Sequence, residues 1–366
     1  MQRKSLTFLR PWLLLLLVTL GTFVFLKHDA FLYTQPIAQV TDTKITEANE
    51  VSDQFGNQVT QSKQAVAATL LNGPEKGQSI SLEHEFDTSG ALYTKLQPKE
   101  QLFVLHREGQ TWQVQNLKRD HLWIPMLVFI LGAMFILFGK NSYRIALATL
   151  MNVCLFMFFL FLDLKLPNPN VFQVFIVFAL GATLLTTGII LGFKSRSAWI
   201  INLTVITTSI VTMALSFLVF YLTGQKGIYY EHMDFVTQDP ASLFLAMTLV
   251  GLLGAVLDEA TDITVTIDAL LEVRPDMSWQ AIVQAGREVG QTIFGALNNV
   301  LLLIFIAEQI PLAVLYLRNG NSWDYTFKAT LSLGFIQTLI SAIGIVITVP
   351  ICLGFILLFR RKRGGR

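Results

Sequence analysis

The sequence predicts an α-helical polytopic membrane protein of about eight transmembrane helices. A small extracytoplasmic β-rich domain sits between the first and second helices. Three observations carry this. Hydrophobic residues make up 53% of the 366-residue chain and charged residues only 14%, where a soluble globule carries roughly 25% charge. Mean hydropathy is +0.54. The apolar residues also fall in runs long enough to cross a bilayer core, which takes about 20 residues per helix. The same figures exclude a disordered chain, a coiled coil, a disulfide-stapled secreted domain and a nucleic-acid binder. Net charge is only +2, and the two cysteines, Cys154 and Cys352, both lie inside apolar runs.

The expected spans are Trp12–Leu26, Leu122–Phe138, Ile145–Leu162, Val171–Phe193, Trp199–Leu222, Ala241–Ile263, Ile293–Leu315 and Leu331–Phe359, none with Lys or Arg in its interior. The first is short and follows Arg3, Lys4 and Arg10, so a cleaved signal peptide is the alternative. Thr19-Leu20-Gly21 is a poor small-x-small cleavage site, and an uncleaved anchor, residues 1–26, is the expectation. Basic residues in the connecting segments set the orientation. One set of segments holds 14 Lys and Arg, the opposite set 4. Both termini are therefore expected in the cytoplasm, with the seven-helix core over 122–359. The basic tail 360–366, beginning Arg360-Arg361-Lys362-Arg363, holds the last helix at the inner face.

Residues 27–121 then face outward. Two hairpins are legible. Ala65–Leu71 and Gln78–Phe86 flank Asn72-Gly73-Pro74-Glu75-Lys76-Gly77, whose Gly and Pro break regular structure. Gln101–Arg107 and Thr111–Lys118 flank Glu108-Gly109-Gln110. Period-two alternation in Ile80, Leu82 and in Trp112, Val114 marks half-buried strands, and a small barrel or sandwich follows. His84 and His106 lack any Cys or carboxylate spacing that would make them metal ligands and read as structural. No Ser/His/Asp arrangement, phosphate-cradling glycine loop or zinc motif is present, so neither an enzyme activity nor a cofactor is expected.

One span is unusual. Gly251-Leu-Leu-Gly254-Ala255-Val-Leu-Asp258-Glu259-Ala-Thr-Asp262 places three acids in five residues. A carboxylate near the bilayer centre costs about 2.5–3.5 kcal/mol on insertion scales. With the helix starting after Pro240 and the count taken from Leu243, Asp258 lies ~22 Å along the axis, inside the inner third of a ~30 Å core. The alternative ends the span at Leu257 and leaves the acids in the cytoplasm. At ~100° per residue, Gly251, Gly254, Ala255, Asp258 and Asp262 share a stripe, with small residues above and acids below, suited to close helix packing. Asp258 and Asp262 repel if both ionise, and such a pair, with Glu259, suits trading a proton.

The seventh span offers Gly290, Gly295, Asn298 and Asn299 as packing residues and hydrogen-bonding partners, Asn299 at a depth similar to Asp258 on an antiparallel helix. Between these two spans lies the cytoplasmic segment 264–292. There Pro275-Asp276-Met277-Ser278 reads as a turn and helix start. Trp279, Ile282, Val283 and Ala285-Gly286 follow as a short amphipathic helix along the inner membrane face.

The stretch Gly251-Leu-Leu-Gly-Ala-Val-Leu-Asp258, followed by Gly290-Gln-Thr-Ile-Phe-Gly295-Ala-Leu-Asn-Asn299-Val-Leu301, resembles the YibE/YibF family of bacterial membrane proteins. The anchor, outer β-domain and multi-span core match that plan too. The family pattern has Arg-Asp where this chain has Gln291 and Thr292, which weakens any shared ion relay. The resemblance implies a permease or other transport-related protein of the plasma membrane, often encoded in pairs, hence a sister subunit or a homo-oligomer. A looser similarity of topology links spans six to eight to half of an RND-type transporter or a SecD/SecF subunit.

Function is thus expected to be a permease or exporter component acting on an unknown small substrate, proton-coupled through Asp258, Glu259 and Asp262. The alternative is an envelope scaffold or signalling protein whose outer domain binds a partner. An intramembrane aspartyl catalyst is least favoured, because Asp258 and Asp262 lie on one helix.

Overall fold

The computed structural model describes residues 2–361, apart from 53, 55, 91–92, 107–110, 140–141, 168–169, 231–232 and 234–238. The expected Glu108-Gly109-Gln110 turn and the tail from Lys362 lie outside the described residues. Among those residues, eight helices are long and apolar enough to cross a membrane. The chain divides into two compact units, Met1–Ser142 and Tyr143–Arg366.

The first unit comprises α1 (Gln2–Lys27), five strands and α2 (Asp120–Phe138). The strands are β1 (Ile37–Ser52), β2 (Gln58–Leu70), β3 (Ser79–Asp87), β4 (Gln101–Leu105) and β5 (Gln113–Leu117). The strands flanking both expected turns pair antiparallel, with Val66 opposite Leu82 and Leu102 opposite Leu117. The longest strand, β1, has no counterpart in the sequence reading. Its outer two-thirds is polar and exposed, and pairing with β2 on one side and β4 on the other holds it extended.

All strands are antiparallel, in the order β3-β2-β1-β4-β5. The edge strands β3 and β5 also approach each other. Closed in that sense, the connectivity is that of a five-stranded, partly open OB-type barrel. Alternate residues fill its core, among them Val40, Val66, Ala68, Leu82, Leu96 and Leu102. Asn72, at the β2–β3 turn, accepts from the Ile37 amide at 2.7 Å and donates to the carbonyls of Tyr33 and Gln35. Gly73 and Gly77 beside it take the positive φ that the turn requires.

A charged knot ties this barrel to both of its helices. Lys118 Nζ is fully buried and lies 2.7 Å from Asp29 and 2.8 Å from Asp120. It also donates to the Leu26 carbonyl at the end of α1. Tyr33 donates to the other Asp120 oxygen at 2.6 Å, and Gln101 donates to the Lys27 carbonyl. The Asp120 hydrogen bond, then burial, push the Tyr33 phenol up from its usual value. Below the knot, α2 approaches α1 where Gly132 leaves room for Leu15.

The second unit is helical. It runs α3 (Ser142–Lys165), α4 (Val171–Thr187, continued by a π segment to Gly192), α5 (Arg196–Thr223), α6 (Pro240–Val273), α7 (Trp279–Arg318), a short α8 (Trp323–Thr326) and α9 (Ser332–Arg361). Asp239 caps α6 by accepting from the Ser242 amide, with Pro240 in the first turn. Ser278 caps α7 in the same way. Helix α7 is unbroken, which corrects the expectation of a short amphipathic helix followed by a separate span. No proline interrupts it before Pro311, and Gly286 and Gly290 sit at helix crossings rather than at a break.

Ser197 at the start of α5 bonds Asp268 near the end of α6, and Cys352 of α9 lies beside Thr264 of α6. So α6 and α9 run parallel, with α5 and α7 antiparallel to them. Two apolar clusters fill the unit. One joins Phe159, Phe178, Ile201, Val205, Leu252 and Val256 across α3 to α6. The other joins Ile200, Ile263, Ile267, Ile282 and Ile356 near the α6–α7 turn.

Candidate functional site

Helix α6 does not end at Leu257. It continues for four more turns, with Ile263, Thr264 and Ile267 buried. The side it buries is not the small-residue stripe. Leu252, Val256, Glu259 and Ile263, spaced for one helical face, are all 0% exposed. Asp258 and Asp262 are exposed on the surface of the unit. The buried acid is therefore Glu259.

Glu259 lies where α6, α7 and α9 meet. A Cβ on Gly290 of α7 would stand 3.3 Å from its Oε1 and 2.6 Å from Val349 of α9. Only glycine lets α7 come this close. Both carboxyl oxygens are buried with no hydrogen-bond partner among the described residues. At 1.5 Å per residue, Glu259 is ~13 Å along α6 from the level of Asp268 and ~18 Å from that of Met247. Those levels are fixed by the Ser197–Asp268 bond at 2.6 Å and by Gln337 of α9, which donates to the Met247 carbonyl. The acid is thus near the middle of the packed length.

A seam of hydroxyls runs beside it. On α5, Thr204, Thr208, Thr212 and Ser216 recur every fourth residue and are all buried. The Cys352 thiol of α9 is 3.3 Å from the Thr264 hydroxyl and 3.8 Å from the Ala260 carbonyl. Thr348 of α9 is also fully buried. Gly344 of α9 lets Leu252 close in, and a Cβ there would stand 3.4 Å from the Thr212 hydroxyl. Most hydroxyls of this region bond back to their own helix, as Thr204 and Ser216 do. Those of Thr208, Ser209 and Thr212 are buried without a partner among the described residues. Leaving a buried hydroxyl unpaired costs about 1–3 kcal/mol.

The remaining expected residues are placed apart from this centre. Asn299 is exposed and donates to the Gly295 carbonyl of its own helix at 2.8 Å, which corrects its expected bond to Asp258. Asn298 is half-buried. Gly251 makes a close approach, to the Gln337 amide, but no atom lies within 4 Å of a Cβ built on Gly254 or Gly295. The close packing expected at those two positions is made instead at Gly286, Gly290 and Gly344.

In the barrel, His84 is buried with Nε2 3.0 Å from the Thr94 carbonyl, and His106 stacks on Trp112. No group of three or more His, Cys, Asp or Glu that could hold a metal occurs among the described residues. The hydroxyl seam has a sequence signal of its own, the i, i+4 repeat of Thr204, Thr208, Thr212 and Ser216 in the fifth span, which carries no charge.

Residues 126–362 match the family described as YibE/F-like protein, and residues 31–117 match the YibE/F family N-terminal domain. The chain belongs to the YibE/F family. The two matches divide as the structure does in kind, one over the barrel and one over the helices that carry Glu259. No curated protein and no solved structure matches the chain. Membership of the YibE/F family and eight apolar helices together suggest a multi-pass membrane protein.

Proposed function

We propose that this YibE/F-family protein is a permease or exporter component of the bacterial plasma membrane, and that Glu259 carries its coupling proton. The observation behind this is a fully buried carboxyl with neither oxygen bonded among the described residues, midway along a helix that would span the bilayer. A carboxylate stripped of water and partners costs several kcal/mol. A fold retains such a group where its task offsets the cost, and intramembrane acids mark proton relays by default. The seam at Thr204, Thr208 and Thr212 supplies hydroxyls that both donate and accept, as proton transfer along the helix axis requires. Asp258 and Asp262, exposed on the same helix, stand at the entrance from the α6 surface.

The excess of Lys and Arg in one set of connecting segments supports a reading in which both termini and the α6–α7 turn are cytoplasmic. On that reading α7, ~60 Å long, extends well beyond a ~30 Å core on the inner side. The exposed acids of α6 also need cover within a bilayer, which a sister subunit or a second copy supplies. A cysteine at position 258, in a background lacking Cys154 and Cys352, tests the placement. It should react with a membrane-permeant maleimide and resist an impermeant one added to the outside of cells. Glu259→Gln should abolish complementation of a deletion strain at unchanged membrane abundance. Full complementation would sink the coupling role.

A second reading rests on the barrel. Beyond Val40, β1 pairs only with β2, so Asp42–Ser52 offers an open strand edge of the kind that captures extended segments. On this reading the helices anchor a binding module. Deleting residues 30–118 separates the two. A scaffold loses all function, whereas a permease keeps basal transport in vesicles.

A further inference from the structure

A slot of about 240 Å³ lies between α4 and α5, floored by Leu249 and Leu253 of α6. Both helices pack on α6, and the gap between them is closed at each end. Near the α4–α5 turn, Asn202 donates to the Thr187 hydroxyl at 2.9 Å. At the far end the rings of Phe172 and Phe217 meet edge to face, 5.9 Å apart. The slot opens sideways, past the exposed Ile176 and Ile210. Among the described residues its wall carries no ionisable side chain, and its polar side chains are Thr183 and Ser209.

Ser209 stands near the middle of α5, one turn from Val205 and one turn from Met213, which also line the slot. It is turned ~100° from Thr208, so it belongs to a different face from the hydroxyl seam. It is 9% exposed, and its hydroxyl has no partner among the described residues. A helical serine can bond back to the carbonyl one turn earlier, as Ser216 does. Ser209 does not, and keeps its donor unspent at an apolar wall. Thr183 has donated to the Ala179 carbonyl at 2.8 Å and retains acceptor capacity.

These features select the occupant. A lipid tail brings no polar atom to Ser209. Water needs two to four polar partners, which most of this wall does not offer. An ion would lose its hydration here with no opposite charge to replace it. A hydroxyl both accepts and donates, which answers the donor on Ser209 and the acceptor on Thr183. A cavity of ~150 Å³ takes benzene, so this one has room for roughly ten non-hydrogen atoms on the same scale.

We propose that the α4–α5 slot binds a small neutral apolar molecule bearing one hydroxyl, entered from the side and held by Ser209. This is independent of any proton-coupling role for Glu259. The test uses the full-length protein in proteoliposomes of phosphatidylcholine. Two photoactivatable probes carry the same diazirine on an eight-carbon chain, one an alcohol and the other the plain alkane. Label is read on peptides spanning Phe172–Leu180 and Val205–Met213, relative to the lipid-exposed Leu147–Met157 of α3.

Ser209→Ala should cut the alcohol's label on the slot peptides about fivefold, the worth of one hydrogen bond. It should leave the alkane's label unchanged. The variant removes an unpaired hydroxyl, so the fold is kept. An alcohol that does not label these peptides overturns the proposal, as does label indifferent to Ser209→Ala. Equal losses for both probes overturn it too, because the slot then takes any apolar chain.

Discussion

Replacing Lys118 with Met should loosen the barrel from its two helices by an amount the structure allows to be worked out. The ammonium is fully buried and is held by Asp29 at 2.7 Å, by Asp120 at 2.8 Å and by the Leu26 carbonyl. Met keeps the chain length and apolar contacts but leaves two carboxylates facing each other without a cation. Breaking a buried pair by removing one partner costs about 3–5 kcal/mol. At 1.36 kcal/mol per tenfold, local opening should become roughly 10²- to 5 × 10³-fold more frequent.

The readout is hydrogen exchange at the amides that close this end of the barrel, among them Lys118, which donates to the Gln101 carbonyl, and Val104, which donates to that of Pro36. The protein is compared in detergent, wild type against variant. Adding Asp29→Asn to Lys118→Met should restore part of the protection, because one stranded charge is removed with its partner. If Lys118→Met leaves exchange within about twofold of wild type, the knot contributes nothing of the size expected for a buried charge, and the argument for it fails.

Other consequences are open to direct test. Tyr33 holds its proton more tightly folded than unfolded, so its contribution to stability is complete below pH 10 and lost as pH rises above that. Tyr33→Phe should remove this alkaline loss, as read by unfolding at a series of alkaline pH values. Gly344→Leu drives a side chain into Leu252 and should cost about 1–3 kcal/mol by overpacking, whereas Gly254→Leu and Gly295→Leu, with open space beside them, should leave thermal midpoints unchanged. Thr212→Val removes a buried hydroxyl that has no partner. It should raise stability by about 1 kcal/mol while impairing transport, the exchange of stability for function expected at a working site. A stability loss with full activity would contradict the seam.

Much of the architecture could be read from the residues, and the failures have physical causes. Apolar run length located the helices, and Gly and Pro located the hairpins, because both signals are local. The register of α6 against its neighbours is not local. Gly251, Gly254 and Asp258 form a tidy stripe, but the wider apolar stripe through Leu252, Val256 and Ile263 offers more area to bury and takes the inner side, carrying Glu259 with it. Asn299 finds an acceptor on its own helix one turn away, the Gly295 carbonyl. The strand β1 is polar along most of its length and shows no alternation, so only pairing with β2 and β4 reveals it. The hydroxyl repeat on α5 was visible as spacing, but its burial follows from Gly344, 128 positions after Ser216, bringing α9 against it.

The most direct test of the central claim is modification by a membrane-soluble carbodiimide, which attacks protonated carboxyls in apolar surroundings. In native membranes the reagent should label Glu259, located by peptide mass, and labelling should fall as pH rises and vanish in Glu259→Gln. Labelling confined to Asp258 and Asp262, or a Glu259 that stays unmodified at every pH, would mean that no proton reaches it and that the group serves the packing of α6, α7 and α9 alone.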